Sequence, residues 1–369
     1  MLNYLTIGLA AVAILYAVMI FCFRAGFKSV VRRPKAEDGT GSVSILLPFR
    51  NEEDTIAHTL ESLLGQQTKV DFEIVAIDDH STDNSAKTIA DIVVSNPRLR
   101  LIEANGQGKK AALKTGIATA RHNIIVTTDA DCIYPARWLD TMTATFVQNN
   151  ADLLAAPVVL SPVNSWFQKF QFVDFASLVG SGIGAAGCGT PIMCNGANLM
   201  FSRLQYNKLS NPLNSKFASG DDVFLLHSMK AAHNRIVFTA QPETIATTHP
   251  TPTIGSFLRQ RTRWGGKATG YTDAASLIVA AIVAVTSVGI CTGMALLPWS
   301  ILPFCCIYIP KLMTDTIFLS AVCKQFGNRR FLWWMPVYEF IVAIYTIWVA
   351  VAAVFSSGAS TWKTSQKAK

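Results

Sequence analysis

The chain has 369 residues, of which 50% are hydrophobic and only 15% charged, and its mean hydropathy is +0.32. That is too apolar for a water-soluble protein of this length, so membrane segments are expected beside one large domain or two ordinary ones. The net charge of +8 would suit nucleic acid, but much of the basic excess flanks apolar stretches. Membrane topology accounts for it, and no nucleic-acid partner is expected.

Tyr4 to Phe23 is apolar and long enough to span a bilayer, and its positive charges (Arg24, Lys28, Arg32, Arg33, Lys35) follow it. A secretory signal would carry the charge first, so residues 1–24 read as a retained anchor and 25–42 as a basic linker on the cytoplasmic side. Val43 to Leu47 is an apolar strand that stops at Pro48, and Glu52 to Leu64 sets Ile56, Leu60, Leu63 and Leu64 on one helical face. Phe72 to Ile77 is a second strand, followed by a helix from Asn84 to Val94. Leu99 to Ile102 and Lys110 to Ala120 give a third strand and helix, and Ile124 to Thr128, β-branched throughout, a fourth strand. Strands alternating with helices predict right-handed crossovers, a parallel sheet and ligands at its carboxyl edge. Beyond Asp152 the pattern is irregular, with glycines from Gly180 to Gly189, a short strand near Asn198 to Phe201 and a helix opening at Asp221 and Asp222. The catalytic domain is placed at 43–252 and an amphipathic interface helix at 253–272. Ala274–Leu297, Trp299–Val322 and Trp333–Phe355 are three further spans within 273–356, ahead of a basic tail at 357–369.

Some details of topology pull against each other. The loop containing Lys324, Arg329 and Arg330 should be cytoplasmic, and four spans would put both ends outside, whereas Lys363, Lys367 and Lys369 favour an inside C-terminus. A re-entrant segment among the last three resolves the conflict. The eight cysteines mostly fall in or beside spans and show no Cys-X-X-Cys spacing, which argues against zinc and against a disulfide framework.

Asp129 and Asp131 close the fourth strand. On extended backbone, residues two apart face the same way, so both carboxylates can meet a hard divalent cation that carries phosphate oxygens. Asp78 and Asp79 at the second strand end suit a uracil ring and ribose hydroxyls, while Asp83 suits a helix cap. Arg50 and Glu52 make either a solvated pair at a helix start or a nucleotide edge. Lys109 at a helix N-terminus adds charge where phosphate is already favoured. Asp222 suits either a helix cap or a general base. Gln260, Arg263 and Trp264, spaced i, i+3 and i+4, share a helix face. Ile254, Phe257, Leu258 and Trp264 give that helix apolar surface, and Arg259, Arg261 and Lys267 suit anionic headgroups. Gly106-Gln-Gly-Lys-Lys-Ala111 fits a dinucleotide fingerprint, but it follows the third strand where an oxidoreductase would use the first.

Seven pieces occur in one order: Pro48-Phe49-Arg50-Asn51-Glu52, Asp78-Asp79, Gly108-Lys109, Asp129-Ala130-Asp131, Gly196-Ala197-Asn198, Asp221-Asp222 and Gln260-X-X-Arg263-Trp264. Together they cover roughly Val43 to Gly270, and on them the chain resembles the membrane-bound family 2 glycosyltransferases, which include cellulose, chitin and hyaluronan synthases and ceramide glucosyltransferase. Family members commonly have Glu-Asp where this chain has Asp221-Asp222.

The resemblance implies an α/β, glycosyltransferase A-type (Rossmann-like) domain in the cytoplasm, flanked by N- and C-terminal transmembrane helices. It implies a nucleotide-sugar donor, most often a UDP-sugar, Mg²⁺ or Mn²⁺ on Asp131 and Asp129, and inversion at the anomeric carbon. It makes Pro48, Arg50, Glu52, Asp78, Asp79, Lys109 and Asp129 nucleotide-sugar-binding, and gives Gly196, Ala197, Asn198 and Trp264 to the acceptor. Asp222 becomes the general base, with Gln260, Arg263 and Trp264 beside it in catalysis. The expected acceptor is a lipid or growing glycan at the membrane, and the few spans favour a single transfer to a lipid. A membrane transporter or receptor with a nucleotide-binding domain is the alternative, invited by Lys311 and Asp315 four apart within a span. Their simpler reading is a helix-internal ion pair near a cytoplasmic face.

Overall fold

The computed structural model describes residues 2–33, 38–217, 219–327 and 332–355. Lys35, Arg329, Arg330 and the basic tail with Lys363, Lys367 and Lys369 lie outside the described residues. The chain divides into two compact units, one containing residues 33–161 and 193–249, the other 2–32, 162–192 and 250–355.

The first unit is an α/β domain. Its strands are β1 (Ser42–Phe49), β2 (Asp71–Asp78), β3 (Leu99–Glu103), β4 (Ile124–Thr128), β5 (Cys132–Ile133), β6 (Leu153–Ala155), β7 (Val158–Leu160), β8 (Asn198–Ser202), β9 (Ile236–Phe238) and β10 (Ala246–Thr248). Seven of them form one sheet in the order β3-β2-β1-β4-β8-β6-β9, and β5-β10-β7 form a small second sheet. β1 runs parallel to both β2 and β4, with Phe49 opposite Asp78, and β2 runs parallel to β3. The expected parallel sheet therefore holds for the four predicted strands. It turns mixed at β8, which lies antiparallel to β4 and sets Asn198 opposite Thr128. Val43 and Ile45 to Leu47 are wholly buried, as a strand covered on both faces requires. Helices α2 (Ile56–Leu64), α3 (Ser85–Val93), α4 (Lys109–Thr119) and α5 (Trp138–Gln148) follow in turn after β1, β2, β3 and β5, so short loops lead from the carboxyl ends of β1, β2 and β3 into helices.

The second unit is helical. Its first helix, α1 (Leu2–Val31), outruns the predicted anchor, and the sequence reading has no counterpart for α6 (Trp166–Gly187). The glycines that read as irregular are the packing face of α6. A Cβ on Gly184 would overlap the Phe23 carbonyl, one on Gly187 the Gly26 carbonyl and one on Gly26 the Gly184 carbonyl, so α1 and α6 meet backbone to backbone. Segment 162–192, inside the expected 43–252 domain, thus belongs with the helical unit. Two short helices of the α/β unit, α7 (Arg203–Asn207) and α8 (Asp221–Ala231), precede α9 (Ile254–Gly266) in the chain. The remaining helices are α10 (Ala274–Ala295), α11 (Leu302–Gln325) and α12 (Met335–Phe355). Among the described residues, four helices are long and apolar enough to cross a bilayer: α1, α10, α11 and the stretch Leu332–Ala352.

Lys311 and Asp315 do pair within α11, at 2.7 Å. The pair reaches further than one helix. Lys311 also bonds Glu339 of α12, and Tyr16 of α1 donates to Asp315 at 2.9 Å, so the network joins three helices.

Candidate functional site

The carboxyl ends of β1 to β4 bring the predicted donor residues of the α/β unit to one edge. Pro48 is buried inside β1 opposite Ile77 and exposes no polar group. Asn51 has a left-handed backbone (φ +54°), a conformation Asn tolerates. Its N–H donates to Ser81 Oγ at 3.2 Å and its Oδ1 accepts from the Thr82 N–H at 2.8 Å, which stitches the β1 and β2 loops together. Arg50 lies 3.5 Å from Asp79, while Glu52 Oε2 accepts from Thr55 Oγ1 at 3.2 Å. Arg50 Nε is buried and meets no acceptor among the described residues.

Asp78 and Asp79 divide the labour. Asp79 is 0% exposed, and its Oδ1 accepts from the Gly108 N–H at 2.7 Å, so it holds the turn that starts α4. Asp78 is partly exposed and accepts from the Ser81 N–H at 2.9 Å. Gly108 sits at φ +93°, open to glycine at no steric cost, and delivers Lys109 into the first turn of α4. Asp83 receives Ser85 N–H at 3.0 Å and Glu53 N–H at 3.1 Å, just ahead of α3. Burial opposes its charge, but the Ser85 hydroxyl, which donates to it at 2.6 Å, and these backbone bonds hold its carboxyl below the ordinary value.

Lys109 is the centre of charge. Its Nζ is 2.5 Å from Asp129 Oδ1 and 3.8 Å from Asp221 Oδ2. Burial works against the ammonium, but Asp129, then Asp221 and Asp222 outweigh it and hold its pKa well above the usual lysine range. Burial and the charge on Asp129 push the Asp131 carboxyl up, with Lys109 pulling the other way. Gly196 completes the cluster, since a Cβ there would lie 3.2 Å from Asp221 Oδ2, 3.3 Å from Asp222 Cβ and 3.8 Å from Lys109 Nζ. Asp222 is not the cap of α8. That position belongs to Gly220 in a left-handed turn (φ +87°), and both acids stand in the first helical turn, where the helix dipole favours them.

Tyr134 and Trp138 went unnoticed in the sequence and tie this cluster together. The buried Tyr134 hydroxyl donates to the Ala197 carbonyl at 2.8 Å and accepts from the Asp129 N–H at 3.3 Å, so one side chain fixes both loops. Trp138 Nε1 donates to Asn198 Oδ1 at 2.9 Å, and Asn198 Nδ2 donates to the carbonyls of Pro157 and Thr244, each at 2.8 Å. Asn198 is 0% exposed with both ends of its amide engaged, so it braces the turn that presents Gly196 and Ala197. The cue in the sequence was an aromatic pair directly after Asp129-Ala-Asp131.

Among the described residues no three His, Cys, Asp or Glu side chains converge as a ready-made ligand set. Asp129 and Asp131 alone offer hard oxygens that repel each other when both are charged. That fits a divalent cation taking its other ligands from phosphate and water.

In the helical unit, Gln260, Arg263 and Trp264 lie on the continuous helix α9, as their spacing predicts. Arg261 departs from expectation. Instead of facing headgroups it is 4% exposed, with Nε 2.8 Å and Nη2 2.5 Å from Asp174 Oδ2 of α6. Its neighbour Phe257 is buried too, and the partner helix α6 was invisible to pattern reading.

The mixed sheet thus sets paired carboxylates at its strand ends beside a cation in the first turn of a helix, an arrangement that suits phosphate groups. Residues 124–356 match the family model "Glycosyl transferase family group 2" and residues 44–201 match "Glycosyl transferase family 2". The chain belongs to the family 2 glycosyltransferases. It is similar to the undecaprenyl-phosphate 4-deoxy-4-formamido-L-arabinose transferase of Proteus mirabilis, 28% identical over 34% of this chain and 40% of that one. It is also similar to the poly-beta-1,6-N-acetyl-D-glucosamine synthase of Staphylococcus aureus, 29% identical over 39% of this chain and 35% of that one. The matched stretch spans less than half the length of either relative. A mannosyltransferase from Pyrobaculum calidifontis, solved with GDP-Man and Mn²⁺, aligns over 96% of this chain and 99% of its own with a TM-score of 0.57 at 17% identity, which shows the glycosyltransferase A-type fold. Among the described residues this family 2 chain carries four helices of spanning length, and family membership supports neither the dinucleotide nor the transporter or receptor reading.

Proposed function

We propose that the protein transfers one sugar, with inversion, from a nucleotide-sugar donor of UDP type to a lipid acceptor at the membrane, its α/β unit lying on the cytoplasmic side. The observation that carries the reading is the meeting of Lys109, Asp129, Gly196, Asp221 and Asp222 at the carboxyl edge of the sheet. Arg50 Nε, buried without an acceptor among the described residues, supports a donor ligand on the same edge. In this reading Asp78 and Arg50 bind the nucleoside, Asp79 and Glu52 hold the loops that do so, and Lys109 moves from Asp129 to the diphosphate. Mg²⁺ or Mn²⁺ on Asp129 and Asp131 supplies positive charge against the diphosphate. The acceptor hydroxyl attacks the anomeric carbon, its proton passes to an Asp222 oxygen, and the carbon–oxygen bond to the diphosphate breaks to release nucleoside diphosphate. Gly196 and Ala197 present backbone to the acceptor, and Gln260, Arg263 and Trp264 keep the roles that the family pattern gives them.

The lipid acceptor is argued from α9. Ile254 is 59% exposed and Arg259 lies nearby on the same amphipathic helix, a composition suited to the bilayer interface. The Proteus relative carries undecaprenyl-phosphate in its name and the staphylococcal one a polymer, so the family contains both outcomes. The test is a donor panel with purified protein, reading nucleoside diphosphate release with and without membrane lipids, followed by mass spectrometry of products made in native membranes. One sugar added to a lipid supports the proposal. A ladder of sugars makes the protein a processive synthase instead, and glycosylation of a small soluble sugar alone overturns the membrane acceptor.

A further inference from the structure

Within the helical unit, the buried ion pair between α6 and α9 is joined to the Gln260, Arg263 and Trp264 motif of α9 by a single side chain. Asp174 is 1% exposed and uses both oxygens: Oδ2 receives Nε and Nη2 of Arg261, and Oδ1 receives the Tyr345 hydroxyl of α12. All three guanidinium nitrogens are engaged. The remaining Nη1 donates to Gln260 Oε1 at 2.9 Å, and the flat faces of the guanidinium lie 4.3 Å from the Trp264 ring centroid and 4.6 Å from that of Phe257. Trp264 is held on another side by Phe175 of α6, at 5.8 Å between ring centroids. Two of the three motif side chains on α9, Gln260 and Trp264, therefore take their orientation from Arg261.

Packing alone does not require this chemistry. An apolar side chain would fill the space between α6, α9 and α12 without the desolvation of two charges, and a lysine would lack the planar fork that reaches Asp174 twice and Gln260 once. What an arginine adds is direction: one rigid plane with a carboxylate at one edge, an amide at the other and an indole on its face.

We propose that Arg261 is a positioning residue, clamped by Asp174 and Tyr345, that fixes Gln260 and Trp264 in the orientation turnover needs. This rests on the reading that the Gln260, Arg263 and Trp264 motif serves sugar transfer.

The experiment uses the full chain in lipid nanodiscs with Asp174→Asn, Arg261→Gln, the double variant, and Gln260→Ala and Trp264→Ala as controls. Each single variant leaves one buried charge unpaired and lowers both melting temperature and turnover. The double variant leaves no charge behind and recovers its melting temperature. Its kcat nevertheless stays about a hundredfold down, the scale of a misplaced active-site group, with the donor KM unchanged. If the double variant regains wild-type turnover together with its stability, the clamp is structural only and the proposal falls. Incorporated 5-fluorotryptophan gives a second readout that needs no activity. The Trp264 fluorine resonance, assigned with Trp264→Phe, is expected to shift in the double variant, and an unmoved resonance also overturns the proposal. Normal turnover by Gln260→Ala and Trp264→Ala would instead refute the motif's part in the reaction, while the fluorine signal still decides whether Arg261 orients Trp264.

Discussion

The two units bury charge in opposite ways. At the sheet edge Asp129 is 34% exposed and shares one ammonium with Asp221, Asp131 is raised by burial and by its neighbour's charge, and Arg50 Nε has no acceptor among the described residues. In the helical unit Asp174, Arg261 and Tyr345 satisfy one another, and Lys311 is enclosed by Asp315 and Glu339 at 7% or less side-chain exposure for itself and 10% or less for its partners. The first arrangement is left open to a ligand and the second holds helices together. Charge that stays partly exposed at a strand end marks chemistry, whereas charge paired and buried between helices marks a joint between elements.

The largest expected effect tests the open side. Asp222→Asn keeps a polar side chain in the first turn of α8, so the loss of helix-dipole stabilisation is at most about 1 kcal/mol. As general base its removal should lower kcat by about two to four orders of magnitude with donor binding retained. Steady-state kinetics beside a melting curve reads both, and near-normal turnover would reduce Asp222 to a helix residue.

Next in size is the closed side. Lys311→Met leaves Asp315 and Glu339 in the helix core without their cation, which should cost about 3–5 kcal/mol of stability. The folded fraction should turn over like wild type. Thermal unfolding in detergent, combined with kinetics normalised to folded protein, checks this, and a kcat that drops further than the folded fraction would mean that the Lys311 network belongs with the chemistry.

Lys109→Met sits between the two kinds. Its ammonium is the one cation placed within 4 Å of Asp129 and Asp221 among the described ion pairs. Removing it should raise the donor KM by about ten- to a hundredfold, the worth of one charge-assisted hydrogen bond. It should also increase the stabilisation that Mg²⁺ gives, because the ammonium that competes with the metal for Asp129 is gone. A thermal-shift series with and without metal measures this, and an unchanged metal response would show that Lys109 does not stand in for the cation.

Much of this contrast was legible in the sequence, though unevenly. β1 to β4 announced themselves by β-branched and apolar runs, and their acidic ends fell where a parallel sheet puts ligands. Helix α6 did not, because Gly180, Gly184 and Gly187 read as breakers when Gly184 and Gly187 are in fact the spacing that lets α1 approach and Gly180 makes room for Val322 of α11. Its start was written plainly enough in the reciprocal bonds of Ser165 and Gln168, a capping box. Without α6, Asp174 had no place, and Arg261 was assigned to lipid. Contacts between residues 87 apart in sequence leave no local pattern to read. The same holds for Tyr134, whose hydroxyl bridges Asp129 and Ala197 only after β4 and β8 have paired.

The smallest expected effect asks whether the contrast divides the units or only the kinds of site. Glu73 belongs to the α/β unit, near the start of β2 and away from the carboxyl edge, yet it is bound like a joint. Ser44 Oγ and the Arg121 N–H donate to its Oε1, each at 2.6 Å, and Arg100 Nε donates to Oε2 at 2.9 Å. Burial raises its pKa, but those bonds and the Arg100 charge prevail and hold the carboxyl below its ordinary value. A carboxyl lowered on folding adds stability that is present above the unfolded value of about 4.3 and is lost as pH falls through the folded one. Glu73→Gln should therefore cost about 1–3 kcal/mol at neutral pH. That gap should close as the pH is lowered past the ordinary carboxylate range, with kcat unchanged throughout. Chemical unfolding of the two proteins at matched pH values follows the gap, and one that widens in acid would reverse the sign argued here. A fall in kcat at neutral pH would be more instructive still, since it would place a satisfied, buried carboxylate among the groups that turnover depends on.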